Sequence, residues 1–227
     1  MDYRDKRLRS SIHIEINNKS LVIDTGPDFR QQMLREHINQ VDAILYTHGH
    51  KDHIAGLDDV RAYNYIQKTD MPVYGLDSLL QQLKTEFYYA FETVRYPGTP
   101  QVQLNEITDA PFELKGIKVT PLPVMHLKMP VLGFRIGDFS YITDANFIPE
   151  ETYERLKGTR VFVLNALQRE KHISHFNLEE ALEVAARVKA EQTYFIHISH
   201  KLGFHKQVES ELPKSVALAY DGLSITL

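Results

Sequence analysis

The 227-residue sequence contains no cysteine and no tryptophan. Without thiols it can form neither a disulfide nor a thiolate zinc site, which suits a reducing compartment. It also lacks any apolar run long enough to cross a bilayer, and its start, Met1-Asp2-Tyr3-Arg4-Asp5-Lys6-Arg7, is charged where a leader would be apolar. The expected location is therefore the cytoplasm, with no membrane partner. An excess of basic charge is missing too: the formal net charge is -4 at pH 7. No stable nucleic-acid partner is expected on that balance, although the basic segment from Arg4 to Arg9 could meet a phosphate. Repeats, low-complexity tracts and compositional breaks are absent. A chain of this length with 43% hydrophobic residues can bury a substantial core, and a single domain over residues 1–227 is expected.

What the chain does contain is a concentrated set of donors, His48-Gly49-His50-Lys51-Asp52-His53, three imidazoles and a carboxylate in six residues. The preceding run Val41-Asp42-Ala43-Ile44-Leu45-Tyr46-Thr47 suits a buried strand, which puts the ligands at a strand's carboxyl end. Imidazole and carboxylate together suit Zn, Mn or Fe.

Alternating Ile12, Ile14 and Ile16, then Asn17-Asn18, then Leu21-Val22-Ile23 predict a hairpin. Helical spacing runs over Phe29 to His37 and over Ile54 to Lys68, and a helix is predicted from an N-cap at Ser78 to about Phe91. Strands are expected at Met71 to Gly75, Val102 to Ile107, Ile117 to Leu122, Val131 to Ile136 and Phe139 to Thr143. Further along, helices near Pro149 to Lys157 and Leu178 to Lys189 alternate with strands Val161 to Leu164, Thr193 to Ile198 and a last one near Leu223 to Leu227. Interleaved strands and helices favour an α/β class. The aromatic stretch Phe87 to Phe91, with Tyr63, Tyr65 and Tyr96, reads as helix packing in preference to a substrate lid.

Three more metal-type donors each end an apolar run: His126, Asp144 and His197. With them, the chain resembles the metallo-β-lactamase superfamily, whose hallmark is the His-x-His-x-Asp-His loop. The resemblance implies an α/β four-layer αβ/βα sandwich. It also implies two divalent metal ions, Mn or Zn with Fe admitted: His48, His50 and His126 on the first, Asp52, His53 and His197 on the second, and Asp144 bridging. His175, ahead of Phe176-Asn177-Leu178-Glu179-Glu180-Ala181, resembles the functional histidine of members that cleave phosphodiesters. Its separation from His197 selects His197 as the last ligand and leaves His200 in reserve, either lining the substrate pocket or a plain surface histidine. Asp24 in Val22-Ile23-Asp24-Thr25-Gly26 resembles the buried carboxylate that orients a metal-bound imidazole, with an Asx turn as its ordinary alternative. Asp58 and Asp59 read as first-turn residues of a helix.

Gly56-Leu57-Asp58-Asp59-Val60-Arg61, Pro72-Val73-Tyr74 and the blocks Leu122 to His126 and Leu132 to Ile136 are similar to the phosphoribosyl cyclic phosphate phosphodiesterase branch. Arg61 is thereby a candidate substrate or supporting residue. Members of that branch usually open with an additional strand and a Gly-rich turn. This chain starts where that segment would end, so an exposed first-sheet edge is expected, and with it a homodimer is open. The reaction implied is hydrolysis of a small cyclic or nucleotide-like phosphodiester by a metal-bridging hydroxide, with Asp52 orienting the water and His175 protonating the leaving alkoxide. The rival readings are a tRNA 3′-processing-type endonuclease, a glyoxalase II-like thioester hydrolase and a non-catalytic metal-binding scaffold.

Overall fold

The computed structural model describes residues 2–94 and 96–227. The chain forms two compact units, Arg9–Thr108 and residues 2–8 together with Asp109–Leu227. Each is a β-sheet with helices, the mixed α/β class predicted from the alternation of elements.

In Arg9–Thr108, the strands are β1 (Ile12–Ile16), β2 (Lys19–Ile23), β3 (Ala43–Leu45), β4 (Met71–Gly75) and β5 (Val102–Glu106), ordered β1-β2-β3-β4-β5. Asn17 and Asn18 both take positive φ, 51° and 58°, as a two-residue hairpin turn requires. β1 is antiparallel to β2 and forms an edge of the sheet, while β2 to β5 run parallel. Val22, Ile44 and Val73 pack with Phe29, Ile54, Leu57, Tyr63 and Leu83 in one core cluster. The helices are α1 (Phe29–Arg35), α2 (Lys51–Ile54), α3 (Arg61–Gln67) and α4 (Asp77–Glu86). Because β2 and β3 are parallel, with Ile23 opposite Leu45, their carboxyl ends open side by side.

The second sheet has the order β12-β11-β10-β9-β8-β7-β6. Its strands are β6 (Phe112–Leu114), β7 (Ile117–His126), β8 (Met129–Ile136), β9 (Phe139–Tyr141), β10 (Val161–Asn165), β11 (Gln192–Ile196) and β12 (Val216–Leu218). β9 to β12 are parallel; β7 and β9 each run antiparallel to β8, so β7 points the same way as β9. The carboxyl ends of β7, β9, β10 and β11 therefore share one edge, where open α/β sheets place their ligands. Helices α5 (Glu150–Leu156), α6 (Leu178–Val188) and α7 (His205–Glu209) complete the unit. α6 starts on a capping box, Asn177 with Glu180.

Three predicted elements differ. The helix expected over 54–68 is broken: α2 begins inside the histidine loop, a 3-10 turn spans Leu57–Val60, and α3 follows. Gly56 turns its N–H to Thr25 O and out of the helical ladder, which is the reason for the break. α4 starts at Asp77 on an N-cap at Leu76, so Ser78 is not the cap. α4 also stops at Glu86, and Tyr88–Ala90 is a 3-10 turn. The last strand is β12, with Val216 and Leu218 buried in the core; most of 223–227 is exposed and none of it is strand. Sequence analysis also predicted no strand at β6 and no helix at α7.

The basic N-terminal segment is largely committed to internal contacts. Arg4 pairs with Asp2, and Arg7 donates to Ala219 O and to Nδ1 of buried His205 at 2.8 Å. His205 N–H in turn donates to Asp5 Oδ1. Burial, then the cations Arg4 and Arg7, lower the His205 pKa, while Glu209 and Asp2 act against them. Neutral His205 can accept from Arg7; protonated His205 cannot. With the folded pKa below the ordinary 6.5, this contribution is complete above pH 6.5 and is lost as pH falls through the folded value. Urea denaturation across that range is expected to show a pH slope in the wild type that is reduced in His205→Gln.

Candidate metal centre

The ligand set of Arg9–Thr108 grows from the paired ends of β2 and β3. Asp24 follows β2 and takes positive φ, 64°. Its buried carboxylate accepts from Thr47 N–H (2.8 Å) and Thr47 Oγ1 (2.8 Å), and Oδ2 lies 2.7 Å from His53 Nδ1. Burial pushes the Asp24 carboxyl pKa upward, against the pull of His53 and the two Thr47 donors. These partners make Asp24 a carboxylate that orients His53 and fixes the start of the histidine loop.

The contacts also assign ring protons. With Asp24 on Nδ1, His53 carries its proton there and its lone pair on Nε2. Thr47 Oγ1 donates to Asp24, so it accepts from His48 Nδ1 at 3.0 Å, and the His48 lone pair also falls on Nε2. His48 Nε2 lies 3.1 Å from His50 Nδ1, and Asp52 Oδ2 lies 3.8 Å from His53 Nε2. His48 and His53 are buried, Asp52 is half-buried and His50 is exposed.

Two glycines let this loop close on the Asp24 turn. Thr25 N–H donates to His53 O, and Gly56 N–H to Thr25 O, both at 2.8 Å. A β-carbon at Gly26 would lie 2.3 Å from Asp52 O, and one at Gly56 would lie 2.2 Å from Gly26 O. Both obstacles are backbone, so neither can swing aside.

In residues 2–8 and 109–227, the corresponding set sits at the shared edge of β7, β9, β10 and β11. His126 ends β7, and its Nδ1 donates to Ser174 O at 2.7 Å, which leaves the lone pair on Nε2. Asp144 and His197 both have φ of 52°, so each strand end turns through the left-handed region. Asp144 Oδ1 accepts from Thr143 Oγ1 at 2.6 Å. Its Oδ2 lies 3.0 Å from His175 Nε2 and 3.3 Å from His197 Nε2. One potential ligand atom from each of Asp144, His175 and His197 falls within 4.8 Å of the others.

Sequence reasoning missed the supports of this set. Asn165, at the end of β10, donates to Ala145 O and accepts from Ala145 N–H, holding the Asp144 turn in place. His172 Nδ1 lies 3.2 Å from His175 Nδ1, against the ring edge of the predicted functional histidine. A buried asparagine ending an apolar run is the signal that could have found Asn165. Nothing local marks His172 beyond its spacing from His175.

The other candidates are not among the donor groups that converge. His200 is exposed in the turn after β11. Arg61 is exposed and pairs with Asp58, which also accepts from Tyr89 OH at 2.8 Å. Asp58 and Asp59 lie in the first turn of the Leu57–Val60 3-10 helix, which has no side-chain cap. Among the aromatics, Tyr63 and Phe87 are core, while Tyr65, Tyr88 and Tyr96 are exposed.

Candidate imidazole and carboxylate donors at strand ends, with Asp24 behind His53, are the arrangement of a metal-dependent hydrolase fold. The chain belongs to the family described as the beta-lactamase superfamily domain, which matches residues 19–198. Within it, the chain falls on the PhnP branch: it is 39% identical, with a TM-score of 0.93, to a crystal structure of a diphosphatase from the PhnP family, covering 100% of this chain and 87% of that one. It is also 37% identical to an octanoyltransferase of Porphyromonas gingivalis over 98% of this chain, but spans only 45% of that protein's length. A ribonuclease Z of Mycobacterium sp. (strain KMS) is 24% identical over 80% of this chain and 75% of its own. Among the described residues, no helix is long and apolar enough to cross a membrane.

Proposed function

We propose that the chain is a dinuclear metal-dependent phosphodiesterase acting on a small cyclic or nucleotide-like phosphodiester in the cytoplasm. The observation that carries this reading is His175 Nε2 at 3.0 Å from Asp144 Oδ2, an imidazole held against a candidate ligand carboxylate and not needed to fill the ligand set. The 39% identity to a diphosphatase supports phosphorus as the reacting centre. In this assignment His48, His50 and His126 would hold one ion, Asp52, His53 and His197 would hold the other, and Asp144 would serve both.

The donor chemistry fits such ions: the imidazoles of His48, His53 and His126 each have Nδ1 engaged and the lone pair on Nε2, the form that ligates a cation. When bound, a divalent pair supplies an activated water and neutralises charge on the phosphate oxygens. The protein's own contribution is orientation. Asp24 aims His53, Thr47 aims His48, Ser174 O aims His126, and His175 delivers a proton to the leaving oxygen. Asp52 orients the water.

A second reading is acyl chemistry, the subject of the name of the octanoyltransferase of which the chain matches 45% of the length, tested as hydrolysis of an acyl thioester. One experiment separates them: hydrolysis of bis(p-nitrophenyl) phosphate, a cyclic ribose phosphate and a glutathione thioester by protein reconstituted separately with Mn and Zn. Cleavage of the phosphodiesters alone is expected, and His175→Ala should lower kcat by roughly 10²- to 10⁴-fold with metal content unchanged. Thioester cleavage alone would transfer the assignment to the second reading. Loss of metal in His175→Ala would make that residue a ligand.

A further inference from the structure

Asn146, beside the Asp144 turn, ties three loop tips together. Its backbone N–H donates to Met125 O at 2.9 Å, its Oδ1 accepts from Leu127 N–H at 2.8 Å, and its Nδ2 donates to Ile173 O at 3.0 Å. Met125 N–H returns a bond to Phe147 O. The tips are those just after His126, just after Asp144 and just before His175. Each presents a large apolar side chain to solvent: Leu127 is 52% exposed, Phe147 57% and Ile173 73%.

Single exposed apolar residues need no explanation, but three gathered by one asparagine form a fixed apolar rim. Leu127 adds a second observation. Its φ is 57°, a conformation in which glycine or asparagine is at ease and leucine is strained. The two-residue turn between His126 and Met129 sets that φ, and a leucine kept there in place of glycine or asparagine, exposed and without core packing, is retained for what its side chain presents.

We propose that Leu127, Phe147 and Ile173 form the specificity rim of the site and receive the aromatic base or aryl group of the phosphodiester, with Phe147 as the stacking surface. The occupant follows from continuity: each rim residue lies within three positions of His126, Asp144 or His175, the side chains the phosphodiesterase reading assigns to the phosphate. A flat aromatic ring is the group to which an exposed phenylalanine is complementary, and base stacking tolerates any nucleobase. Selection for a base-bearing substrate rests on the phosphodiesterase reading above; the rim's affinity for a base does not.

The absence of tryptophan makes the rim directly observable, because Phe147→Trp introduces the molecule's single indole. Titration of metal-free Phe147→Trp with adenosine monophosphate is expected to quench its fluorescence, whereas ribose 5-phosphate should not. Turnover provides the second readout: Phe147→Ala should raise KM about tenfold more for a nucleoside cyclic phosphate than for a base-free cyclic ribose phosphate. Leu127→Gly should reduce the same preference while melting no lower than the wild type, since it removes the strained φ. Equal quenching by both ligands, or no quenching, would overturn the proposal. So would a change in sedimentation on Phe147→Ala without any change in the base preference, which would make the rim an interface between copies. If no phosphodiester is hydrolysed, the functional reading fails while the fluorescence titration still decides the rim.

Discussion

Asp24→Ala is expected to unfold well below the wild type and to bind metal 10- to 100-fold more weakly, about the effect of losing a carboxylate that orients a ligating imidazole. The substitution removes the acceptor for three buried donors at once, Thr47 N–H, Thr47 Oγ1–H and His53 Nδ1–H. Removing one partner of a buried charged network costs about 3–5 kcal/mol, equivalent to roughly 10 °C or more in Tm for a chain of this size. Alanine also occupies the left-handed φ of 64° poorly, at a further cost of about 1–2 kcal/mol. Asp24→Asn separates these contributions, because asparagine tolerates that φ but turns an amide N–H₂ toward groups that are already donors. Thermal denaturation of the metal-free protein, followed by competitive zinc titration, reads both effects. An Asp24→Ala protein that melts and binds zinc like the wild type would show that Thr47 and His53 are positioned by the backbone alone.

Asp144→Asn should leave the fold nearly intact and abolish turnover. Asparagine keeps the shape, tolerates the φ of 52° and can still accept from Thr143 Oγ1. It cannot supply the charge on Oδ2, the atom nearest both His175 Nε2 and His197 Nε2. On the proposed assignment Asp144 would be shared by two ions, and bound cations contribute several kcal/mol to phosphoryl transition states, so its loss is expected to lower kcat/KM by about a thousandfold or more. Elemental analysis should show metal content falling from the proposed two ions per chain toward one. Full activity with two ions retained would remove Asp144 from the ligand set.

Much of this architecture was legible along the chain. The Asn17-Asn18 hairpin, the apolar run into the histidine loop and the capped helix α6 each depend on residues within a few positions of one another. The misread elements depended on distant partners. The predicted 54–68 helix breaks because Gly56 meets the Thr25-Gly26 turn, thirty residues earlier in the chain. Leu223 to Leu227 has strand-like composition, yet β12 forms at Val216–Leu218, where the parallel edge of β11 and the core receive it. β7 runs through Pro121 and Pro123 because beyond Val119 its ladder has β8 on one side and β6 no longer reaches it, so the missing N–H groups cost no bond on that side.

The sequence by itself determined the chemistry on offer: imidazole and carboxylate donors without thiols, at the ends of apolar runs, with an acidic overall balance. Ligand type and strand-end placement are local properties, written in composition and short spacing. Only the tertiary structure decided which ring nitrogen of each histidine carries the lone pair, because that depends on Asp24, Thr47 and Ser174 meeting His53, His48 and His126 from other parts of the chain. It alone brought His172 and Asn165 into supporting roles and gathered Leu127, Phe147 and Ile173 around Asn146. Parallel strands align their carboxyl ends whatever their separation in sequence, and no spacing along the chain records which ends will coincide.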